Sequence, residues 1–283
     1  MLPVRRRTYA VASASLFAVV YAILGLFPIS AIIGAGGFLT FREAVSPLAG
    51  MLFGPGVGGF SMVLGNFVDF AMGKPIVFDF LDFIPDLVSA VVAGLAFTGH
   101  RKAALCLPVF LLVLFTLDPL SPVLVNVGGV DIPFLWMHVI SMGVLAGALL
   151  YEKRGSLARL SPVFVSAVAF ASTMSGHVAG NIMYENVILR LDGVVPKDGY
   201  QAFWTLVFYA YPLERTFYAV LATIVAYPVL RAVSRRQVVR ALSRRPQART
   251  IEELMNFAEG TYSKSKDIGS IAFQNGRKAD RTW

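Results

Sequence analysis

The sequence predicts an all-α membrane protein, a polytopic bundle of about six to eight transmembrane helices with both termini in the cytoplasm. Of its 283 residues, 56% are hydrophobic and 15% are charged, whereas a soluble domain carries about 25% charged residues. Its basic residues lie in short clusters between apolar segments, which is typical of cytoplasmic loops and argues against nucleic-acid binding. We therefore expect a multi-pass protein of the cell membrane.

About eight apolar segments are candidates for membrane helices, because each approaches the roughly 20 residues that a helix needs to span the bilayer. They cover residues 9–28, 38–53, 57–72, 80–97, 103–117, 132–150, 162–184 and 200–230. The first follows three consecutive arginines and resembles a signal peptide, but it is longer than a typical signal sequence and lacks a clear cleavage site. We expect it to be retained as a helix.

Residues 44–68 contain no charged residue, so this stretch reads either as one long helix or as two short helices joined at residues 54–56. Those three residues are Gly-Pro-Gly, and glycine and proline are the strongest turn formers. A cytoplasmic turn here also puts every basic cluster of the chain on the cytoplasmic side, as the positive-inside rule requires. The sequence therefore predicts a helical hairpin with a cytoplasmic turn.

The end of the chain differs in composition from the rest. Seven arginines and no acidic residue occur between residues 231 and 249. Basic segments next to a membrane helix favour the cytoplasm and contact anionic lipid. We predict a transmembrane helical domain over residues 1–232 and a basic, largely disordered cytoplasmic tail over residues 233–283.

Polar residues of six predicted helices lie at a similar depth. At about 1.5 Å per residue, Asp69 lies roughly 20 Å and His177 roughly 22 Å from the cytoplasmic ends of their helices. Ionisable groups inside a membrane are costly and usually line a cavity or pathway, so we predict one pocket that opens to the outside. Its candidate residues are Arg42, Glu43, Asp69, Asp86, His177, Asn181, Glu185, Tyr211, Glu214 and Arg215.

The segments LFGPGVGGFSMVLGNFVDF and DFIPDLVSAVVAGLAF, in this order, resemble the membrane S component of energy-coupling factor (ECF) transporters. In that family, a glycine-rich turn precedes a third helix with an aspartate near its end, matched here by Gly65 and Asp69. The family's first helix carries small residues four apart that contact a coupling subunit. Ala10, Ala14, Ala18 and Ala22 have this spacing, although small residues also favour helix contacts within one chain.

The resemblance implies a subunit that captures its substrate from outside and then reorients in a complex with a transmembrane coupling subunit and two ATP-binding subunits. The chain has no phosphate-binding loop of its own, and we expect no cofactor, no metal and no catalytic residue. Aromatic residues at pocket depth suit a nitrogen heterocycle or a cation, so we favour a vitamin-like or nucleobase-like solute. These aromatic residues are Trp136, Tyr184, Trp204, Tyr209 and Tyr211.

Two alternatives remain open. The pattern FxxxH at residues 134–138 and the pattern HxxxN at residues 177–181 also occur in intramembrane metalloproteases of the CAAX-processing type. The EExxxR motif of that family is absent from the apolar segments, and the chemistry needs a glutamate to activate water. A stand-alone secondary transporter would use the same outer pocket, but it needs matching polar groups in the inner half.

Overall fold

The computed structural model describes residues 4–31, 38–152, 160–191 and 199–243. The chain divides into two compact units, Met1–Arg231 and Ala232–Trp283. In the second unit, only the end of the last helix is described. The predicted tail beyond residue 243 therefore lies outside the described residues, and its disorder stays a prediction.

The described residues are mostly helical, which confirms the all-α class. The helices are α1 (Val4–Gly25), α2 (Arg42–Ala71), α3 (Ile84–Phe97), α4 (Arg101–Leu117), α5 (Trp136–Glu152), α6 (Pro162–Met183) and α7 (Tyr200–Ser243). A π-helix, Tyr184–Leu191, continues α6. Two small antiparallel hairpins connect helices, and their strands are β1 (Pro28–Ala31), β2 (Phe38–Thr40), β3 (Leu124–Val127) and β4 (Val130–Pro133).

Three of the described helices are long and apolar enough to cross a membrane, which indicates a membrane protein. They are Arg42–Ala71, Pro162–Leu191 and Tyr200–Ser234. Shorter apolar helices accompany them, Ala10–Gly25, Ile84–Phe97 and Trp136–Glu152. The number of helices that span the membrane stays a prediction.

Helix α2 folds back on itself at Gly54. This glycine has φ 79° and ψ 175°, outside the helical region. Residues with a side chain rarely adopt this positive φ. A Cβ added at Gly58 would lie 2.7 Å from the carbonyl oxygen of Ala49, and Arg42 at the start of α2 pairs with Asp69 near its end. In a straight helix, 27 residues of separation would place those ends about 40 Å apart. The predicted break between two short helices is confirmed.

Glycines allow the α2 hairpin and α3 to approach closely. A Cβ added at Gly50 would overlap the carbonyl group of Ala90, and one added at Gly94 would overlap the backbone of Gly54 and Pro55. Close backbone approach through small residues is the usual packing of helices in lipid. This contact fixes the start of α3 beside both ends of α2.

The alanines of α1 face the inside of the bundle. Ala14, Ala18 and Ala22 are each 1% exposed, and a Cβ added at Gly65 would lie 3.1 Å from the carbonyl oxygen of Ala18. Ala10, nearer the start of the helix, is half-buried. The structure thus corrects the prediction of a partner interface at Ala14, Ala18 and Ala22, because their small size lets α1 pack against the second half of α2; the prediction for Ala10 stays a prediction. The outward side of α1 carries Val11, Leu16, Val19, Val20 and Ile23.

Candidate functional site

A cavity of about 370 Å³ lies among the C-terminal end of α1, the β1–β2 hairpin, both ends of α2, the start of α3, the second half of α6 and the first half of α7. Eight of the ten predicted site residues line it. They are Arg42, Glu43, Asp86, His177, Asn181, Tyr211, Glu214 and Arg215. These residues come from four helices, α2, α3, α6 and α7, so the fold brings them together at one level of the bundle.

Arg42 is the centre of a buried polar network at one side of the cavity. Its guanidinium donates hydrogen bonds to the carboxylate of Asp69 and, at 3.3 Å, to the side-chain oxygen of Asn66. Its Nε lies 3.7 Å from the carboxylate of Asp86. Arg42 and Asp69 are both almost fully buried, so the ion pair is shielded from water.

Asp69 is in this network rather than in the cavity wall. Its carboxylate is 1% exposed and lies behind Arg42, whereas the sequence predicted that it contacts solute. Lys74, in the loop after α2, lies with its Nζ 3.7 Å from Asp69 and lines the cavity. Burial lowers the pKa of the Lys74 ammonium, and the nearby Arg42 guanidinium lowers it further. Sequence reasoning missed Lys74, because depth counting does not apply to loop residues.

Tyr21 and Ser46 complete the network below the cavity and were also missed. The Tyr21 hydroxyl donates to Asp86 and accepts a hydrogen bond from Asn66 at 2.9 Å. Ser46 donates to Asp86 at 2.6 Å. Both carboxylate oxygens of Asp86 are therefore held by protein groups. Tyrosine and serine side chains are uncharged at neutral pH, so a search of the sequence for intramembrane charges does not find Tyr21 and Ser46.

Arg215 on α7 is buried but has a different environment. Its Nη1 lies 3.9 Å from Glu43, and its Nη2 lies 3.9 Å from Glu214. These distances exceed hydrogen-bonding distance, and within the described part of the chain Arg215 has no hydrogen-bond acceptor. The face of the guanidinium lies 5.2 Å from the ring centre of Tyr218. The guanidinium therefore retains donors that the protein does not use.

Aromatic rings form another part of the cavity wall. The rings of His177 and Tyr211 stack with centroids 5.1 Å apart, and the Tyr211 hydroxyl donates to the Phe134 carbonyl at 2.8 Å. His177 also lies 3.1 Å, nitrogen to nitrogen, from His138 of α5. These contacts hold both rings in place before any solute binds.

A second aromatic group follows towards the start of α7. Tyr184 stacks on Phe203 at 4.5 Å between ring centroids, and Trp204 donates its Nε1 hydrogen to the Leu120 carbonyl at 2.9 Å. All three line the cavity. Trp136 and Tyr209, which the sequence also placed at this depth, are exposed and do not line it, because their sides of α5 and α7 face outwards.

Glu185 does not belong to the site, contrary to prediction. It is fully buried and accepts a hydrogen bond from Ser121 at 2.5 Å, away from the cavity. In an α-helix it would follow Asn181 on the same face. The chain instead becomes a π-helix at Tyr184, whose wider turn rotates Glu185 away from that face.

No family model, curated protein or solved structure matches this chain. Among the residues that the structure describes, no three His, Cys, Asp or Glu side chains are grouped so that they could hold a metal ion.

Proposed function

We propose that this protein is the substrate-capturing membrane subunit of an ATP-dependent importer of the ECF type, and that it binds a vitamin-like or nucleobase-like solute. One observation carries the proposal: a cavity whose wall combines charged residues with fixed aromatic rings. Small-molecule sites are typically about 300–1,000 Å³, mostly apolar, with a few placed polar groups. The cavity fits this description.

The proposed topology places this cavity on the outer side of the cell membrane. The start of α4 and the end of α5 carry the ion pair of Arg101 and Glu152, whose Nε and Oε2 atoms are 3.0 Å apart, and neither residue lines the cavity. Arg101 belongs to a basic cluster that the positive-inside rule assigns to the cytoplasm. In this arrangement the Gly54 turn and both termini are cytoplasmic, and the chain crosses the membrane six to eight times, as predicted from about 20 residues per span.

The proposed partners are a transmembrane coupling subunit and ATP-binding subunits. Because Ala14, Ala18 and Ala22 are buried within the chain, we assign the contact with the coupling subunit to the outward side of α1 instead. That side exposes large apolar residues, which would contact a neighbouring helix by van der Waals packing.

The metalloprotease alternative gains one observation. His138 and His177, the histidines of the FxxxH and HxxxN patterns, are adjacent, with 3.1 Å between their nitrogens. A catalytic metal site usually has three protein ligands. Chelator-sensitive cleavage of a peptide by the purified protein would support this alternative over transport.

Native mass spectrometry of the protein purified in mild detergent tests the proposed function. We expect a co-purifying solute, and we expect Gly180→Leu to lose it, since Gly180 lines the cavity and tolerates a Cβ at 3.6 Å from Pro85. Gly143→Leu is the matched control, because a Cβ added at this exposed position of α5 meets no atom within 4 Å. Equal solute occupancy in both variants would contradict the cavity as the binding site.

A further inference from the structure

Glu43 and Arg215 form an open ion pair in the cavity wall. Their closest atoms, Oε2 and Nη1, are 3.9 Å apart, and their side chains are only 14% and 7% exposed. Neither carboxylate nor guanidinium has a hydrogen-bond partner among the described residues. Buried polar groups are normally hydrogen-bonded. A solute with a hydrogen-bond acceptor next to a donor would satisfy the guanidinium and the carboxylate of this pair.

The charges of the wall disfavour a solute with a net charge. The charged residues of the wall are Arg42, Lys74, Arg215, Glu43, Asp82, Asp86 and Glu214. A solute anion would meet four carboxylates, and a solute cation would meet three basic groups, in a site where charges are poorly screened. Asp82 and Asp86 are also already used, since Asp82 accepts the Val77 N–H at 3.0 Å and Asp86 accepts from Ser46.

The aromatic wall disfavours a flexible or bulky solute beside this pair. Tyr211 lies four residues before Arg215 on α7, which is about 6 Å along the helix and on the same face. The Tyr211 ring is fixed by its hydrogen bond to Phe134 and by stacking on His177. Tyr211 itself is only 1% exposed, whereas the His177 ring that stacks on it is partly exposed and lines the cavity. A flat ring that reaches Arg215 with one edge would therefore lie against His177, where offset ring stacking is favourable.

We propose that the solute is an uncharged, planar cyclic amide or ureide, whose adjacent C=O and N–H groups bind Arg215 and Glu43 while its ring lies against His177, which stacks on Tyr211. The ring carbonyl accepts from the guanidinium, and the ring N–H donates to the carboxylate. This inference rests on the proposed solute-binding function and assigns its chemical class.

Isothermal titration calorimetry of the purified protein with four small probes tests the inference. Uracil has the required edge, 1,3-dimethyluracil has the same ring without N–H donors, benzoate is a flat anion, and phenylalanine is a zwitterion. We expect uracil to bind and 1,3-dimethyluracil to bind about tenfold more weakly or worse, as for a lost hydrogen bond to a charged group. This pair of probes needs no mutation and so does not depend on the folding of a variant.

Two variants assign the contact. Glu43→Gln is expected to weaken uracil binding by about tenfold or more, and Glu185→Gln, the same change at a buried carboxylate outside the cavity, is expected to leave it unchanged. Equal affinity for uracil and 1,3-dimethyluracil, or tighter binding of benzoate or phenylalanine than of uracil, would overturn the inference. Failure of all four probes, with a co-purified solute in the mass spectrum, would overturn the solute class and leave the proposed function standing. If none of the four probes binds and no solute co-purifies, both the inferred solute class and the proposed function are rejected.

Discussion

Two arginine–glutamate pairs at different ends of α3 differ in one respect. Arg101 and Glu152, beyond the C-terminal end of α3, are joined by hydrogen bonds from both Nε and Nη2 of the arginine. Arg215 and Glu43, near its N-terminal end, remain 3.9 Å apart without a hydrogen bond. Both glutamates are largely buried, so burial alone does not explain the difference. The first pair connects helices, and the second leaves its hydrogen-bonding groups open to the cavity.

Breaking the hydrogen-bonded network of Arg42 is expected to have the largest effect on stability. Arg42→Ala leaves the carboxylates of Asp69 and Asp86 buried with fewer partners, and loss of one member of a buried ion pair costs about 3–5 kcal/mol. We expect this drop in the free energy of unfolding, measured by denaturant titration in detergent. Asn66→Ala is the control and should cost less, because it removes a neutral member, in contact with Arg42 at 3.3 Å and with the Tyr21 hydroxyl at 2.9 Å, and leaves no buried charge without its partner. A loss below about 1 kcal/mol for Arg42→Ala would contradict the buried network.

Glu152→Gln removes the charge of the closed pair far from the cavity. Hydrogen bonds to charged groups contribute about 1.5–3 kcal/mol, reduced here because Arg101 is partly exposed, so we expect a loss of about 1–2 kcal/mol in unfolding free energy. Solute occupancy in native mass spectra should not change. Reduced occupancy would mean that this pair and the cavity are coupled.

Tyr211→Phe tests the aromatic wall with the smallest expected effect. It removes the hydroxyl that donates to the Phe134 carbonyl and keeps the ring, so we expect a loss of about 1 kcal/mol in stability. Solute affinity should fall only a fewfold, because the stacking surface remains. The matched measurement is Tyr211→Leu, which removes the ring and should weaken binding more than Tyr211→Phe. Equal affinities of the two variants would exclude a contribution to binding from the Tyr211 ring, on which His177 stacks.

Depth along a helix proved predictable from the sequence, but direction around the helix did not. The rise of about 1.5 Å per residue placed Arg42, Asp86, His177 and Arg215 at one level, and the Gly-Pro-Gly pattern predicted the break in α2. The same counting cannot tell which face of α1 meets α2, so the alanines were assigned to the wrong surface. A π-helix changes the angle per residue without a recognisable sequence signal, and this moved Glu185.

Contacts between helices far apart in the chain could not be predicted from the sequence either. Tyr21 and Asp86 are 65 residues apart, and His138 and His177 are 39 residues apart. Whether a charged group is hydrogen-bonded to a partner depends on differences in distance of about 1 Å. Composition and residue spacing do not give such differences. The distinction between the two arginine–glutamate pairs therefore required the structure.

The most direct test of the account compares Glu43→Gln with Glu152→Gln in two assays, solute occupancy by native mass spectrometry and unfolding by denaturant. The open pair should contribute to binding and little to stability, so we expect Glu43→Gln to lose the solute while its unfolding free energy, measured without solute, changes by less than about 0.5 kcal/mol. Glu152→Gln should show the reverse. A Glu43→Gln protein that keeps its solute and is destabilised as much as Glu152→Gln would show that both pairs are structural, and would contradict the account.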